Sequence, residues 1–147
     1  MSRKSPGIAA LIAKVTAVDQ ARGGEFDPHY IGFFECFNRQ MYYEAHDVLE
    51  ELWLGTKGEL HGFYKGLIQL AGAFVHLEKG RLNPAARLLR LSLGNLEAKG
   101  KVVEGLDVAE LRARMRRWLT ELEESDYTKN PYHPAKPPNL CLKPRQA

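Results

Sequence analysis

From Ile8 to about Tyr127, apolar residues return every three or four positions, the spacing of helices that bury one face. Ile8, Leu11, Ile12 and Val15 predict a first helix to about Ala21, stopped by Gly23-Gly24. Asp27-Pro28 is a cap followed by proline at the first helical position. It starts a second helix carrying Tyr30, Phe33, Phe34 and Phe37, and Asn38-Arg39-Gln40 reads as the break after it. A third helix runs from about Met41 to Leu54 and closes at Gly55; a fourth runs from about Leu60 to Lys79 and closes at Gly80. Asn83-Pro84 opens a fifth, ended by Gly100. Asp107 with Glu110 reads as a capping box, and Leu106 with Leu111 as a hydrophobic staple. They precede a sixth helix whose stripe is Leu111, Met115, Trp118, Leu119 and Leu122. No run alternates with period two for long enough to predict a strand. The expectation is an all-α bundle of about six helices in antiparallel hairpins.

The pattern stops at Lys129. KNPYHPAKPPNLCLKPRQA holds five prolines and can be neither a helix nor a central strand. We expect a helical domain over residues 1–128 and an extended Pro-rich tail over 129–147. Tyr132, Leu140 and Leu142 are its apolar anchors to a surface, its own or that of a second copy.

Composition changes this picture little. The chain has 147 residues and a formal charge of +3, which suits one soluble domain and demands neither nucleic acid nor an anionic membrane. Cys36 and Cys141 lie far apart with no CxxC, the usage of a reducing cytoplasm. The apolar run IAALIA is broken by Lys14, too soon for an export signal or a membrane span.

Polar residues inside two of the apolar patterns carry the candidate chemistry. Turned at about 100° per residue, the third helix puts Ala45, Val48, Leu49 and Leu52 on one arc and Glu44, Asp47 and Glu51 opposite. His46, Glu50 and Trp53 lie on the flank, beneath Tyr42 and Tyr43. His46 and Glu50 are four residues apart, within side-chain reach. The fourth helix carries a stripe of Gly62, Gly66, Gln69, Ala73 and His76. If the two stripes face each other, His46, Glu50, Gln69 and His76 converge near Trp53 and Tyr43.

The stretches FNRQMYYEAHDVLEELW, KGLIQLAGAFVHLEKG and NPAARLL, taken together, closely resemble domain of unknown function family 309. The resemblance covers about Phe33 to Leu96. It implies a small helical fold and sets Glu44, His46, Glu50, Trp53, Gln69 and His76 on signature positions. It implies no reaction.

Several functions fit such a cluster. His46, Glu50 and His76 are candidate metal ligands, but the chain lacks HExxH and paired Glu-x-x-His motifs, and a hydrogen-bonded core network is favoured over an ion. A carboxylate-oriented His is the usual general base, yet no nucleophile, phosphate loop or dinucleotide fingerprint accompanies it, and no cofactor is indicated. The leading expectation is a small-molecule-binding or protein-interaction module built on His46, Glu50, Trp53, Gln69, His76 and Tyr43. The alternative is a metal- or His-dependent, hydrolase-like enzyme. In the last helix Arg112, Arg114, Arg116 and Arg117 precede Glu121, Glu123, Glu124 and Asp126, the reverse of what the helix dipole prefers. A solvated face, an antiparallel homodimer and a phosphate-binding patch each fit this order, with nucleic acid ranked last.

Overall fold

The computed structural model describes Ala10 and residues 26–143. The expected first helix, 8–21, lies, apart from Ala10, outside the described residues. Five helices follow: α1 (Pro28–Asn38), α2 (Tyr42–Leu54), α3 (Glu59–Glu78), α4 (Leu82–Glu97) and α5 (Val108–Glu124). The chain is mainly helical. It departs from the all-α expectation at one small hairpin, β1 (Val102–Val103) and β2 (Leu106–Asp107), paired antiparallel with Val103 opposite Leu106. Glu104 and Gly105 turn it, at φ 48° and 74°, the two left-handed positions that a tight hairpin turn needs. Two-residue strands are too short to leave a period-two signal.

The start and stop signals work as capping chemistry requires. The Asp27 carboxylate accepts from the His29 N–H at 2.8 Å, with Pro28 next to it. Asp107 accepts from the Glu110 N–H at 2.9 Å. Gly80, at φ 71°, ends α3 while the Arg81 N–H reaches back to the His76 carbonyl. The break after α1 is made by Gln40 at φ 63°. A left-handed non-glycine costs about 1–2 kcal/mol. Its side chain offsets part of this by donating to the Tyr132 hydroxyl at 2.5 Å and the Pro134 carbonyl at 3.1 Å.

α3 and α4 are antiparallel neighbours, as cross-contacts in descending register show. Lys99 Nζ donates to the Glu59 carbonyl, Ser92 Oγ to the Gly66 carbonyl, and a Cβ on Gly72 would meet Leu88. The core is aromatic at one end: Phe33, Phe37, Tyr42 and Phe74 are at most 1 % exposed; Phe33 stacks on Phe37, and Phe37, Tyr42 and Phe74 interlock edge-to-face or tilted.

The charge order of α5 has an internal explanation. Because α4 and α5 are antiparallel, the arginine-rich start of α5 lies against the C-terminus of α4, where carbonyls are unsatisfied and the dipole is negative. Arg112 Nη1 donates to the Glu97 carbonyl at 2.9 Å, and Arg116 pairs with the Glu97 carboxylate at 3.1 Å. At the other end Arg90 of α4 meets Glu123 at 3.1 Å and the Tyr127 hydroxyl at 2.6 Å. Two of the four arginines, Arg112 and Arg116, and one of the acids, Glu123, are thus engaged by α4 within the chain.

Residues 129–143 lie on that same chain without forming a helix. Asn130 donates to the Leu77 carbonyl at 2.8 Å. Asn38 grips Leu140 by both backbone groups, donating to its carbonyl at 2.7 Å and accepting from its N–H at 2.8 Å. Leu142 bridges to Leu106. Tyr132, 7 % exposed, packs its ring edge-on to Tyr42 and Phe74. Tyr132→Ala should therefore cost about 3 kcal/mol, the usual loss for truncating a buried aromatic. His133→Ala, at an exposed neighbour, should stay within about 0.5 kcal/mol of neutral. Urea melts of the two variants distinguish a structural segment from an idle one: equal small losses would mean that Tyr132 anchors nothing.

Candidate functional site

The six sequence-designated residues divide among three environments. On α2, Ala45, Val48 and Leu49 are fully buried, as the helical wheel requires, and turn the opposite face outward. Tyr43 on that face is 63 % exposed, and Leu54 at its far end 67 %. His46 lies on its flank, with Nδ1 3.2 Å from the Asp47 carboxylate, both side chains about a third to a quarter exposed. The Glu50 side chain makes no hydrogen bond or ion pair among the described residues. The expected His46–Glu50 contact is therefore replaced by one between sequence neighbours.

Trp53 turns the other way. Its ring stacks on His61, from the first turn of α3, at 4.8 Å and 28° between planes. Its indole Nε1 is buried and meets no hydrogen-bond partner among the described residues.

Gln69 faces α4, not α2. Its Oε1 accepts from Asn95 Nδ2 at 2.7 Å. The small residues beside it serve the same contact: a Cβ on Gly66 would lie 3.0 Å from the Leu96 side chain, and one on Gly62 3.2 Å from Lys99 Nζ. The Gly62–Gly66–Gln69 stripe is the close approach of two helices rather than space for a ligand. His76 sits in the last turn of α3, where burial, then Arg81 and Lys79, hold its imidazole below the ordinary pKa. Its Nδ1 is buried and unpartnered among the described residues.

The four polar residues expected to converge do not share a hydrogen-bond network. Each is engaged by a different neighbour or by none. Among the described residues no three His, Cys, Asp or Glu side chains are grouped to hold a metal ion, so His46, Glu50 and His76 do not form such a set. Cys36 is fully buried, and burial, helped by Glu44, pushes its thiol up to about 12, too high to serve as a nucleophile. No helix among the described residues is long and apolar enough to cross a membrane.

Two features were invisible to pattern reading. Glu44, assigned to the solvent arc, is half-buried, and its charge helps raise the Glu78 carboxyl, whose shift is due first to burial. Asn38 and Gln40, read only as a break, are the residues that hold the C-terminal segment. Their polarity at the end of an aromatic helix was the available signal.

The His76 shift gives a pH dependence. A lowered folded pKa means that the fold prefers neutral imidazole, so this stability is complete above the unfolded value of about 6.5 and is lost as pH falls through the folded one. Glu78 works in the opposite sense at lower pH: its raised folded pKa contributes stability that is present below its unfolded value and lost as pH rises through the folded one. Comparing wild type with His76→Gln cancels that contribution. The difference in melting temperature between pH 5 and pH 7 should shrink in the variant; an unchanged difference would assign the dependence to other groups.

Comparison with known proteins adds no activity. Over 85 residues the chain is 33% identical to "Uncharacterized protein YpuF" of Bacillus subtilis (strain 168), a match covering 56% of this chain and 49% of that protein. The match thus spans about half the length of the relative. No solved structure gives a significant match. Residues 30–88, which hold α1, α2, α3 and the start of α4, match the family described as Domain of unknown function (DUF309), the family that the motif stretches resemble.

Proposed function

We propose that this chain is a non-catalytic protein-interaction module and that the outer face of α2 is its docking surface. One observation carries the reading. Two of the described residues' large exposed apolar side chains, Tyr43 and Leu54, stand at the two ends of this face, 63 % and 67 % exposed. Eleven residues of helix separate them by roughly 16 Å. Between them His46, Asp47 and Glu50 turn outward or onto the flank.

Charge supports a specific class of partner. Residues 42–54 contain Glu44, Asp47, Glu50 and Glu51 and no lysine or arginine. A basic amphipathic segment would set apolar side chains on Tyr43 and Leu54 and cations against the unpaired Glu50. His46 and Glu50, the signature positions on this face and its flank, are then accounted for as recognition groups. The free thiols of Cys36 and Cys141 suit a reducing compartment, and we take the cytoplasm as the place of binding.

A photo-crosslinking amino acid placed at Tyr43, at Leu54 or at Val102 tests this in cells. Val102 is an exposed apolar control, 58 % accessible and remote in sequence. Shared adducts at positions 43 and 54, absent at 102, are expected. Tyr43→Lys should abolish the adduct at 54 while changing stability by no more than about 0.5 kcal/mol, the usual effect of a surface substitution. Equal adducts at all three positions, or none, would exclude the α2 face.

A further inference from the structure

Away from the α2 face, a cleft of about 230 Å³ opens between the first turns of α5 and residues 139–143. Its floor is apolar: Leu106, Leu111 and Leu140 are each at most 4 % exposed. Its rim is charged with both signs. Asp107 and Glu110 stand at the start of α5, Arg114 one turn further on, and Lys143 comes from the C-terminal segment.

These charges are spaced but not spent on each other. Glu110 and Arg114 are four residues apart, the separation at which a helical ion pair commonly forms, yet no such pair exists here; neither Glu110 nor Lys143 makes a side-chain hydrogen bond or ion pair among the described residues. Arg114 is held in place at two points. Its Nη1 donates to the Asn139 carbonyl at 3.0 Å, and its guanidinium carbon lies 5.4 Å from the Trp118 ring centroid. The remaining guanidinium donors have no partner among the described residues. Lys143 is anchored by its backbone N–H, which donates to the Gly105 carbonyl at 2.7 Å. Of the two acids, Asp107 is committed to the Glu110 N–H as the helix cap, which leaves the Glu110 carboxylate as the unengaged acceptor.

We propose that this cleft binds a free α-amino acid with a small or branched apolar side chain. The carboxylate takes the Arg114 fork and Lys143, the ammonium takes Glu110, and the side chain rests on Leu106, Leu111 and Leu140. Four residues of helix rise about 6 Å; an amino acid whose charged groups lie about 3 Å apart and each add a charge-assisted hydrogen bond of roughly 2.8 Å spans about 8.6 Å, which Glu110 and Arg114 reach with their side chains splayed apart, in keeping with the absence of an ion pair between them. A simple carboxylate fits less well, because Asp107 and Glu110 share the rim and repel it. A drug-sized ligand is too large, since such pockets run to roughly 300–1,000 Å³.

The cleft carries its own reporter. Cys141 lines it and is exposed, whereas Cys36 is buried and unreactive. The rate of Cys141 modification by an aromatic disulfide reagent reads occupancy directly. L-Leucine should slow that rate saturably. Leucinamide and N-acetylleucine, which each lack one charge, should act at least about tenfold more weakly, the loss expected for a missing charged hydrogen bond. Glu110→Gln should weaken leucine to a similar degree without unfolding the protein, because Asp107 caps the backbone N–H of residue 110 and not its side chain. Isovalerate matching leucine would overturn the proposal in favour of a plain carboxylate site. Leucine binding by equilibrium dialysis without protection of Cys141 would move the site elsewhere, and no saturable slowing with no binding would dismiss it.

Discussion

The close approach of α3 to α4 is the contact on which the other positions depend. It is possible because Gly66 offers no Cβ where Leu96 stands 3.0 Å away, and Gly72 none where Leu88 stands 3.2 Å away. Two polar contacts set its register: Ser92 Oγ to the Gly66 carbonyl at 2.6 Å, and Asn95 to Gln69 at 2.7 Å. Buried polar groups that meet partners specify one alignment, since any slip would strand them. With α3 fixed there, its remaining apolar side chains turn to α1 and α2, and the antiparallel course of α4 brings α5 back beside it. Gln69 thus acts as a registry residue, in a place where an alternative alignment would have given it to a ligand.

The second level of organisation is the attachment of residues 129–143 to the turn between α1 and α2. A left-handed Gln40 is unfavourable locally, and Tyr132 exposed would be unfavourable too. Each relieves the other, through the Gln40–Tyr132 hydrogen bond and the packing of Tyr132 on Tyr42 and Phe74. Burial pushes the Tyr42 phenol well above its ordinary pKa, and the adjacent Tyr132 hydroxyl adds to the effect. The same segment then supplies Asn139, Leu140 and Lys143 to the cleft beside α5. An element without regular structure therefore contributes one wall of a cavity and closes the aromatic end of the core.

Charge is distributed by a similar logic. Arg90 of α4 and Arg112 and Arg116 of α5 are matched to acids or carbonyls of the adjoining helix, so surface pairs of small individual value line up along one interhelical seam. The acids of α2 have far less internal use: Asp47 meets only His46, Glu51 comes within 4.0 Å of His29, and Glu50 meets nothing described. That asymmetry, together with exposed Tyr43 and Leu54, separates a face built for the fold from one left available.

The sequence by itself determined the local elements. Asp27-Pro28, Gly55, Gly80 and Asp107 each carry a conformational or capping preference strong enough to act within a few residues, and helical periodicity marked Ala45, Val48 and Leu49 as buried. It also held enough joint motif for the resemblance to the family matched over residues 30–88 to be seen. Tertiary structure decided which faces meet. Periodicity gives a residue's angle about its own helix, not the neighbour at that angle, so nothing in the α3 pattern told whether Gly62, Gly66 and Gln69 faced α2 or α4. The hairpin at Val102–Asp107 was too short to leave a period, and the partners of Asn38, Gln40 and Arg112 lie 15 to 102 residues away. Contacts of that reach depend on how the helices pack, and a local pattern does not contain them.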